Sequence, residues 1–431
     1  MKCKVCGFRL SDEAKKCPMC GAMRGSLEAG QINQNANLPR YFCPSCKAEI
    51  IGEHRFCLSC GKELSEVANM QDTKEQSKNN CLKCGAYLPL NAKFCYECGA
   101  KQNQTQETPM EAFEYEKRGN EYVLRKLKDT SLTDVVIPRV FSKIGDKAFE
   151  ECLNLTTITI PNSVTKIGDW SFCECSNLKS ITIPDSVRKI GNHVFTHCSS
   201  LTNITIPDSV TKIGVEAFKC CSKLTSVTIP NSVTEIGALA FWGCSSLTSI
   251  TIPDSVTEIG VWGFSGCSSL KSVTIPNSVK EIRDWSFYKC SNLKSITISD
   301  SVTEIGVYAF YDCSNLETIT IPDSVTKISV TRIGKEAFGG CSNLKSITIP
   351  DSVTEIGDGA FVFCSGLTNI VIPNSVTKIG DAVFLGCNFL KDVSIGNPNF
   401  KKYDIERVFG SSPSFKRIKI GNKIVKISDL K

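Results

Sequence analysis

Residues 247–269 read Leu-Thr-Ser-Ile-Thr-Ile-Pro-Asp-Ser-Val-Thr-Glu-Ile-Gly-Val-Trp-Gly-Phe-Ser-Gly-Cys-Ser-Ser, and nearly the same wording recurs on both sides of them. In its first half Leu247, Ile250 and Ile252 are set to face inward while Ser249 and Thr251 face out, the period of a strand. Pro253 ends that strand, because it has no N–H to give to a continuing ladder. Val256 and Ile259 then return to the interior from the opposite side, Gly260 permits a turn, and Phe264 and Cys267 fill the space left.

The recurrence has a fixed length. Phe149, Phe172, Phe195, Phe218, Phe241, Phe264, Phe287 and Phe310 lie 23 residues apart, the series resumes at Phe338, Phe361 and Phe384, and a cysteine follows each phenylalanine by three positions. A unit this short cannot bury its own apolar face, so it must stack on its neighbours, and the fold class is a repeat solenoid, mainly β. One turn carries five extra residues, which we place around Ser329–Ile333 and expect to bulge without breaking the stack. The first turn starts at Leu132; before it, two alternating runs about Gly119-Asn120 predict a capping hairpin at 113–131. The repeat runs over 132–414 and weakens at its end, where Phe409 keeps its place but Ser412 replaces the cysteine. Phe415, Ile418 and Ile420 begin a C-terminal cap at 415–431.

With its Ile-Pro, Ser-Val, Ile-Gly and Phe-x-x-Cys words, the repeat resembles the BspA-like class of bacterial and protist leucine-rich repeats over about residues 132–414. That resemblance implies a curved leucine-rich-repeat solenoid with a parallel sheet on its concave face. It also implies a binding role, since many members resemble surface adhesins or host-matrix binders.

At a strand spacing of about 4.8 Å, a dozen turns make a sheet about 55 Å long. Its outward positions are chiefly Thr and Ser, such as Thr157 with Thr159 and Ser249 with Thr251, punctuated by Lys179, Lys271, Lys294, Lys345 and Lys391. The tryptophans Trp170, Trp242, Trp262 and Trp285 all occupy the variable positions between the Ile-Gly site and the cysteine. Trp262, Trp285 and Tyr308 share one position in three consecutive turns and should stack about 5 Å apart, with Tyr288 and Tyr311 repeating nearby. Aromatic clusters on a polar surface are typical binding anchors, so we single out these five rings, with Lys271 and Lys294 adding charge. Another column reads Lys143, Lys166, Lys189, Lys212, then Glu235, Glu258, Glu281, Glu304, a basic half and an acidic half that could orient a partner.

Cysteine is the unusual residue, with 25 in 431 positions. Thirteen belong to the repeat region; the ladder cysteines read as small buried residues, while Cys173 and Cys220 fall outside the ladder and are expected to be exposed thiols. The other twelve form three sets of two Cys-x-x-Cys pairs. The first set is Cys3, Cys6, Cys17 and Cys20, the second Cys43, Cys46, Cys57 and Cys60, and the third Cys81, Cys84, Cys95 and Cys98, each with ten residues between its pairs. Such spacing presents four thiolates to one tetrahedral zinc and leaves no open position for catalysis, so three structural Zn2+ ions are expected. A short hairpin is expected between the two pairs of each set, with Leu10, Ile50 or Leu88 over the metal. These pieces, at 1–22, 41–63 and 79–100, resemble the small zinc-ribbon modules at the N-termini of many bacterial proteins. The polar stretches between them, and the linker 101–112, have little to bury.

The formal charge of +6 counts these cysteines as neutral. Each zinc with four thiolates carries 2 − 4 = −2, so three sites bring the loaded chain to about zero. That removes the basic excess a nucleic-acid binder would need, and leaves nucleic-acid association through the ribbons as the lesser alternative. With three histidines, no phosphate loop, no nucleophile motif and no dinucleotide fingerprint, neither an enzyme nor a small-molecule substrate is expected. No apolar run is long enough to span a membrane, and the start Met1-Lys2-Cys3-Lys4-Val5-Cys6 has no apolar stretch of the signal-peptide kind. The expectation is therefore a cytoplasmic, non-catalytic adaptor or scaffold: the solenoid holds a protein partner and the ribbons tether or bind another. A surface adhesin exported by a non-standard route is the remaining alternative.

Overall fold

Every 23-residue repeat closes into one turn that carries two short strands. In the turn quoted above these are Ser249–Thr251, whose central Ile250 is buried between two exposed neighbours, and Glu258–Ile259. Each pairs in parallel with its counterpart one turn earlier: Ser226 with Ser249, Val227 with Ile250, Thr228 with Thr251, then Glu235 with Glu258 and Ile236 with Ile259. Equivalent residues therefore lie directly above one another, which is what a strict repeat requires. The computed structural model describes residues 107–321, 330–410, 414–415 and 417–429, with four short strands nearer the N-terminus. The chain divides into two units, Met1–Gln106 and Glu107–Lys431.

The interior of the second unit is a continuous mainly-β parallel solenoid core built around a column of phenylalanines. From Phe149 to Phe409 successive rings stack, with centroids from 5.0 Å (Phe149–Phe172) to 5.6 Å (Phe172–Phe195) apart. Leu247, Val256, Phe264 and Cys267 of the quoted turn have no exposed surface. Stacking of turn on turn is what removes this apolar area from water, at about 25 cal/mol per Å2.

Two side-chain ladders explain the polar words of the repeat. Each ladder thiol from Cys175 to Cys387 donates to the carbonyl of the phenylalanine one turn back, as from Cys267 Sγ to Phe241 at 3.3 Å. In most turns the serine of the Ser-Val word donates likewise to the valine carbonyl one turn back, as from Ser255 Oγ to Val233 at 2.7 Å, while Ser163 donates to the Phe141 carbonyl and the buried Ser375 Oγ has no partner among the described residues. The interior turns thus satisfy carbonyls that no strand reaches.

Gly260 has a role other than the one its place in the sequence suggests. Its φ is not positive; a Cβ there would lie 2.3 Å from the Ala238 nitrogen, so glycine is required because one turn passes so close to the next. Arg283 stands where the repeat otherwise has this glycine. Between that turn and the one before it, both strand ladders lapse together: Ser249–Thr251 does not pair with Ser272–Thr274, nor Glu258–Ile259 with Glu281–Ile282. The turns stay in contact elsewhere across this step, with Trp262 on Trp285 at 4.4 Å and Cys290 Sγ donating to the Phe264 carbonyl at 3.2 Å, so the lapse is confined to the two strands.

The five extra residues fall earlier than expected. Val330 and Ile333 fill the regular valine and isoleucine positions with no exposed surface, and Ile333 pairs with Ile305. The surplus lies between Ile321 and Val330, and residues 322–329 are outside the described set.

At the N-terminal end the antiparallel strands Phe113–Arg118 and Glu121–Leu127 lie over the first turn, Glu121–Leu127 pairing in parallel with Phe141–Ile144. At the other end the chain forms an eight-residue helix, Lys402–Phe409, which the repeat pattern did not announce. It delivers Phe409 onto Phe384, and the Arg407 guanidinium donates to the Ile379 and Gly380 carbonyls. Arg417–Ile420 then pairs in parallel with Asp392–Ile395 and turns back as Lys423–Lys426. Ser412 lies outside the described residues.

In the first unit Arg40–Phe42 pairs antiparallel with Glu49–Ile51, and Asn79–Asn80 with Tyr87–Leu88. One strand of each hairpin, Glu49–Ile51 with Ile50 and Tyr87–Leu88 with Leu88, lies between the two cysteine pairs of its set, while its partner precedes the first pair. Cys43 and Cys46 thus fall in the connection of one hairpin, and Cys81 and Cys84 in that of the other.

Candidate functional site

Between the second strand and the cysteine, every turn uses two left-handed backbone positions. The first is occupied by Lys147, Trp170, His193, Glu216, Leu239, Trp262, Trp285, Tyr308, Glu336, Gly359 and Ala382, with φ between 49° and 61°. The second holds glycine in some turns (Gly243, Gly266, Gly340, Gly386) and Glu151, Glu174, His197, Cys220, Lys289, Asp312 or Phe363 in others. Left-handed backbone disfavours any residue with a Cβ, so each non-glycine here is held by its neighbours. The glycines scattered through both columns were the available sign of this geometry in the sequence.

Three of these first positions make a stack. The Trp262 and Trp285 rings lie 4.4 Å apart at 5°, and Trp285 and Tyr308 lie 4.0 Å apart at 21°. Tyr288 meets the edges of Trp262 and Trp285 at 5.8 and 4.9 Å, and Tyr311 stacks on Tyr288 at 5.7 Å and meets Tyr308 edge-on at 5.4 Å. All five rings are half-buried. Tyr308 donates to Glu336 Oε1 at 3.0 Å, and burial together with that carboxylate raises its pKa; burial, then the Asp312 charge, does the same to Tyr311. Lys289, which the sequence reading passed over, places its Nζ 5.1 Å from the Tyr288 ring centroid, within cation–π range.

Lys271 and Lys294 are not part of this cluster. They are exposed beside the three-residue strands, where the Lys294 N–H donates to the Lys271 carbonyl at 2.9 Å.

A second cluster occupies the same columns nearer the N-terminus. Trp170 stacks on His193 at 3.8 Å, and Lys147 Nζ is 5.6 Å from the Trp170 ring. His193 Nδ1 lies 3.3 Å from Glu216 Oε2 without hydrogen-bond alignment, and Lys219 holds the same carboxylate at 2.8 Å while reaching the Trp242 ring at 5.5 Å.

The two off-ladder thiols differ. Cys173 is buried, against expectation, because the neighbouring turns close over it; burial and then the Glu174 and Glu150 charges push its thiol up to about 11. Cys220 is half-buried at a left-handed position, and burial raises its pKa too.

The twelve expected zinc ligands all lie outside the described residues: Cys3, Cys6, Cys17 and Cys20 of the first set, Cys43, Cys46, Cys57 and Cys60 of the second, and Cys81, Cys84, Cys95 and Cys98 of the third. What the structure adds is that the Phe42–Glu49 and Asn80–Tyr87 pairings draw the chain together on either side of two of the six pairs, Cys43 with Cys46 and Cys81 with Cys84. By its chemistry, a donor set of four thiolates fits zinc. Among the described residues no group of three or more His, Cys, Asp or Glu is placed to hold a metal ion. No helix among them is long and apolar enough to cross a membrane.

Comparison with known proteins matches these two parts separately. A family described as "Double zinc ribbon" matches residues 3–61 and 43–99. The "BspA type Leucine rich repeat region (6 copies)" matches residues 125–248, 234–330 and 329–430. Among solved structures, a leucine-rich repeat protein from Bacteroides ovatus is 31% identical, covering 72% of this chain and 99% of its own, with a TM-score of 0.43. A leucine-rich cell surface protein from Faecalibacterium prausnitzii is 30% identical, covering 71% and 99%, with a TM-score of 0.44. A leucine-rich repeat protein from T. pallidum is 30% identical, covering 49% and 91%, with a TM-score of 0.38. No curated protein matches the chain significantly. With its repeat words, its stacked phenylalanines and a family match over most of its length in agreement, the chain belongs to the BspA-type leucine-rich repeat proteins.

Proposed function

We propose that this protein is a non-catalytic adaptor of the cytoplasm that grips a protein partner on the aromatic edge of its solenoid. Trp262, Trp285, Tyr308, Tyr288 and Tyr311 are the anchors, with Lys289 beside them. In this reading three structural zinc ions hold the N-terminal ribbons, which tether the protein or engage a second partner. Lys271 and Lys294 contribute only to a partner large enough to reach the strand face.

The observation that carries the reading is five half-buried rings in contact across three consecutive turns. Rings held rigid in this way lose little side-chain entropy on binding and offer a broad apolar footing. Paired thiolates suited to zinc and free ladder thiols support a reducing compartment.

The test is a pull-down from source-cell lysate with the zinc-loaded full chain and with Trp262→Ala/Trp285→Ala, after metal analysis of both. A protein retained by the parent and lost from the double variant, at about three zincs per chain, supports the adaptor. Undiminished retention by the variant removes the aromatic edge as the contact. Near-zero zinc with oxidised cysteines sinks the ribbon and compartment assignments and favours an exported adhesin.

A further inference from the structure

The residue preceding the inward isoleucine of each second strand forms a column of charge on the solenoid edge. Four consecutive turns contribute Lys143, Lys166, Lys189 and Lys212, and the next four contribute Glu235, Glu258, Glu281 and Glu304. Strand register sets neighbours side by side, as for Lys143 with Lys166, Lys189 with Lys212, Lys212 with Glu235, Glu235 with Glu258, and Glu281 with Glu304. Like charges at this spacing disfavour one another.

The chain relieves this only in part. Lys212 and Glu235 pair at 2.6 Å where the two halves meet, Lys143 has Glu121 of the cap at 2.7 Å, and Glu304 pairs with Arg332, the next residue of the column, which runs on through Glu355 and Lys378. Glu258 and Glu281 share a single guanidinium, Arg283, at 2.7 and 3.7 Å. Lys166 and Lys189 are exposed and form no ion pair among the described residues. Two unmatched cations in one half thus face the same distance from the centre as two carboxylates sharing one cation in the other.

We infer that this edge is where a second copy of the chain docks, antiparallel, about a two-fold axis passing between Lys212 and Glu235. That single operation sets Lys166 against Glu281 of the partner subunit, Lys189 against Glu258 of the partner subunit, and each reciprocal pair the other way round. A two-fold contact needs a self-complementary surface, and this stretch of four positive then four negative charges, ahead of Arg332, Glu355 and Lys378, is one; a parallel arrangement would oppose like with like. The residues beside the axis are apolar. Two positions beyond the inward isoleucine, the turns at the axis carry Val215, 37% exposed, and half-buried Ala238; next come Asn192 on one side and Val261 on the other, then Asp169 and Asp284. An apolar centre with charged flanks is the anatomy of a specific protein interface. This contact is carried by the charge column and not by the aromatic rings, although Val261 adjoins Trp262.

The experiment is sedimentation of the full zinc-loaded chain at low and high salt, with two charge-reversal variants, Lys166→Glu/Lys189→Glu and Glu258→Lys/Glu281→Lys, each checked by circular dichroism. The parent should sediment at twice 47.1 kDa at low salt and dissociate as salt rises. Each variant alone should sediment at 47.1 kDa, its dissociation constant raised more than about tenfold. Mixed in equal amounts the two variants should recover the doubled mass, because every opposed pair is again of opposite sign. A monomeric parent at about 100 μM, at the weak end of specific association, overturns the inference. So does a dimer that Lys166→Glu/Lys189→Glu leaves intact, or a mixture that stays monomeric. Trp262→Ala/Trp285→Ala should remain dimeric, which separates this contact from the partner site.

Discussion

The Cys267 thiol donates to the Phe241 carbonyl 3.3 Å away, and that carbonyl also accepts the Cys244 N–H at 3.2 Å. One oxygen is thereby used by its own turn and by the next. Phenylalanine and cysteine three residues apart are needed for that double use, which gives the repeat's Phe-x-x-Cys word a physical reason. Cys267→Ala should lower stability by about 1–3 kcal/mol through the lost bond and the small cavity, whereas Cys267→Ser, which keeps a donor, should cost less. Urea unfolding of the two variants measures the difference.

The same burial makes the fold sensitive to alkali. Burial pushes Cys290 and Cys387 up to about 12, from an ordinary value of 9.0. The folded pKa is raised, so the unfolded chain loses its protons first as pH rises. Stability is therefore full below pH 9 and falls between pH 9 and about 12, which thermal melts across that range would record. At neutral pH, alkylation followed by peptide mapping should label Cys220 first among the repeat thiols, with Cys173 and the ladder unreacted.

His197 is exposed at φ 60°, a conformation glycine adopts freely. His197→Gly should be neutral or stabilise by about 0.5–1 kcal/mol, and His197→Val should destabilise by about 1–2 kcal/mol, since a β-branched residue suits that backbone least. Equal melting temperatures for the two variants would contradict the left-handed assignment.

Arg283→Gly places the repeat's own residue where both ladders lapse. Restored strand pairing should add hydrogen bonds of about 1 kcal/mol each, more than the exposed Arg283–Glu258 and Arg283–Glu281 pairs contribute. Slower amide exchange at residues 280–283 would confirm the pairing; unchanged exchange would show that something else interrupts the strands.

Removing zinc with a strong chelator should abolish the folded signal of residues 1–100, because units so small depend on the metal for their folding. The solenoid melt should not change, since among the described residues no cluster of three or more His, Cys, Asp or Glu is placed to hold a metal ion. A shift in that melt would show that the two units depend on each other.

The solenoid was legible because its repeat is strict. Ile250, Ile252, Val256, Ile259, Phe264 and Cys267 recur with one spacing, and only stacking can bury them all. The aromatic stack was legible for the same reason, since Trp262, Trp285 and Tyr308 share a register position. The C-terminal helix was not, because it departs from the repeat and keeps step with it only over its last residues, where Arg407 and Val408 accept from the Ala382 and Phe384 N–H groups and Phe409 joins the ring column. Cys173 was misjudged because burial off the ladder depends on what the next turn lays over it. The extra residues before Val330 were placed late, because Ser329-Val330 repeats the Ser-Val word and hides where the register slips.

By itself the sequence determined the repeat length, the inward set and the three cysteine sets, since each follows from periodicity or ligand spacing along one chain. Only the tertiary structure decided the left-handed columns, the close approach that makes Gly260 necessary, and the shared use of the Phe241 carbonyl. These are relations between turns: residues 23 to 26 positions apart meet through the pitch of the stack, a distance that no local pattern contains.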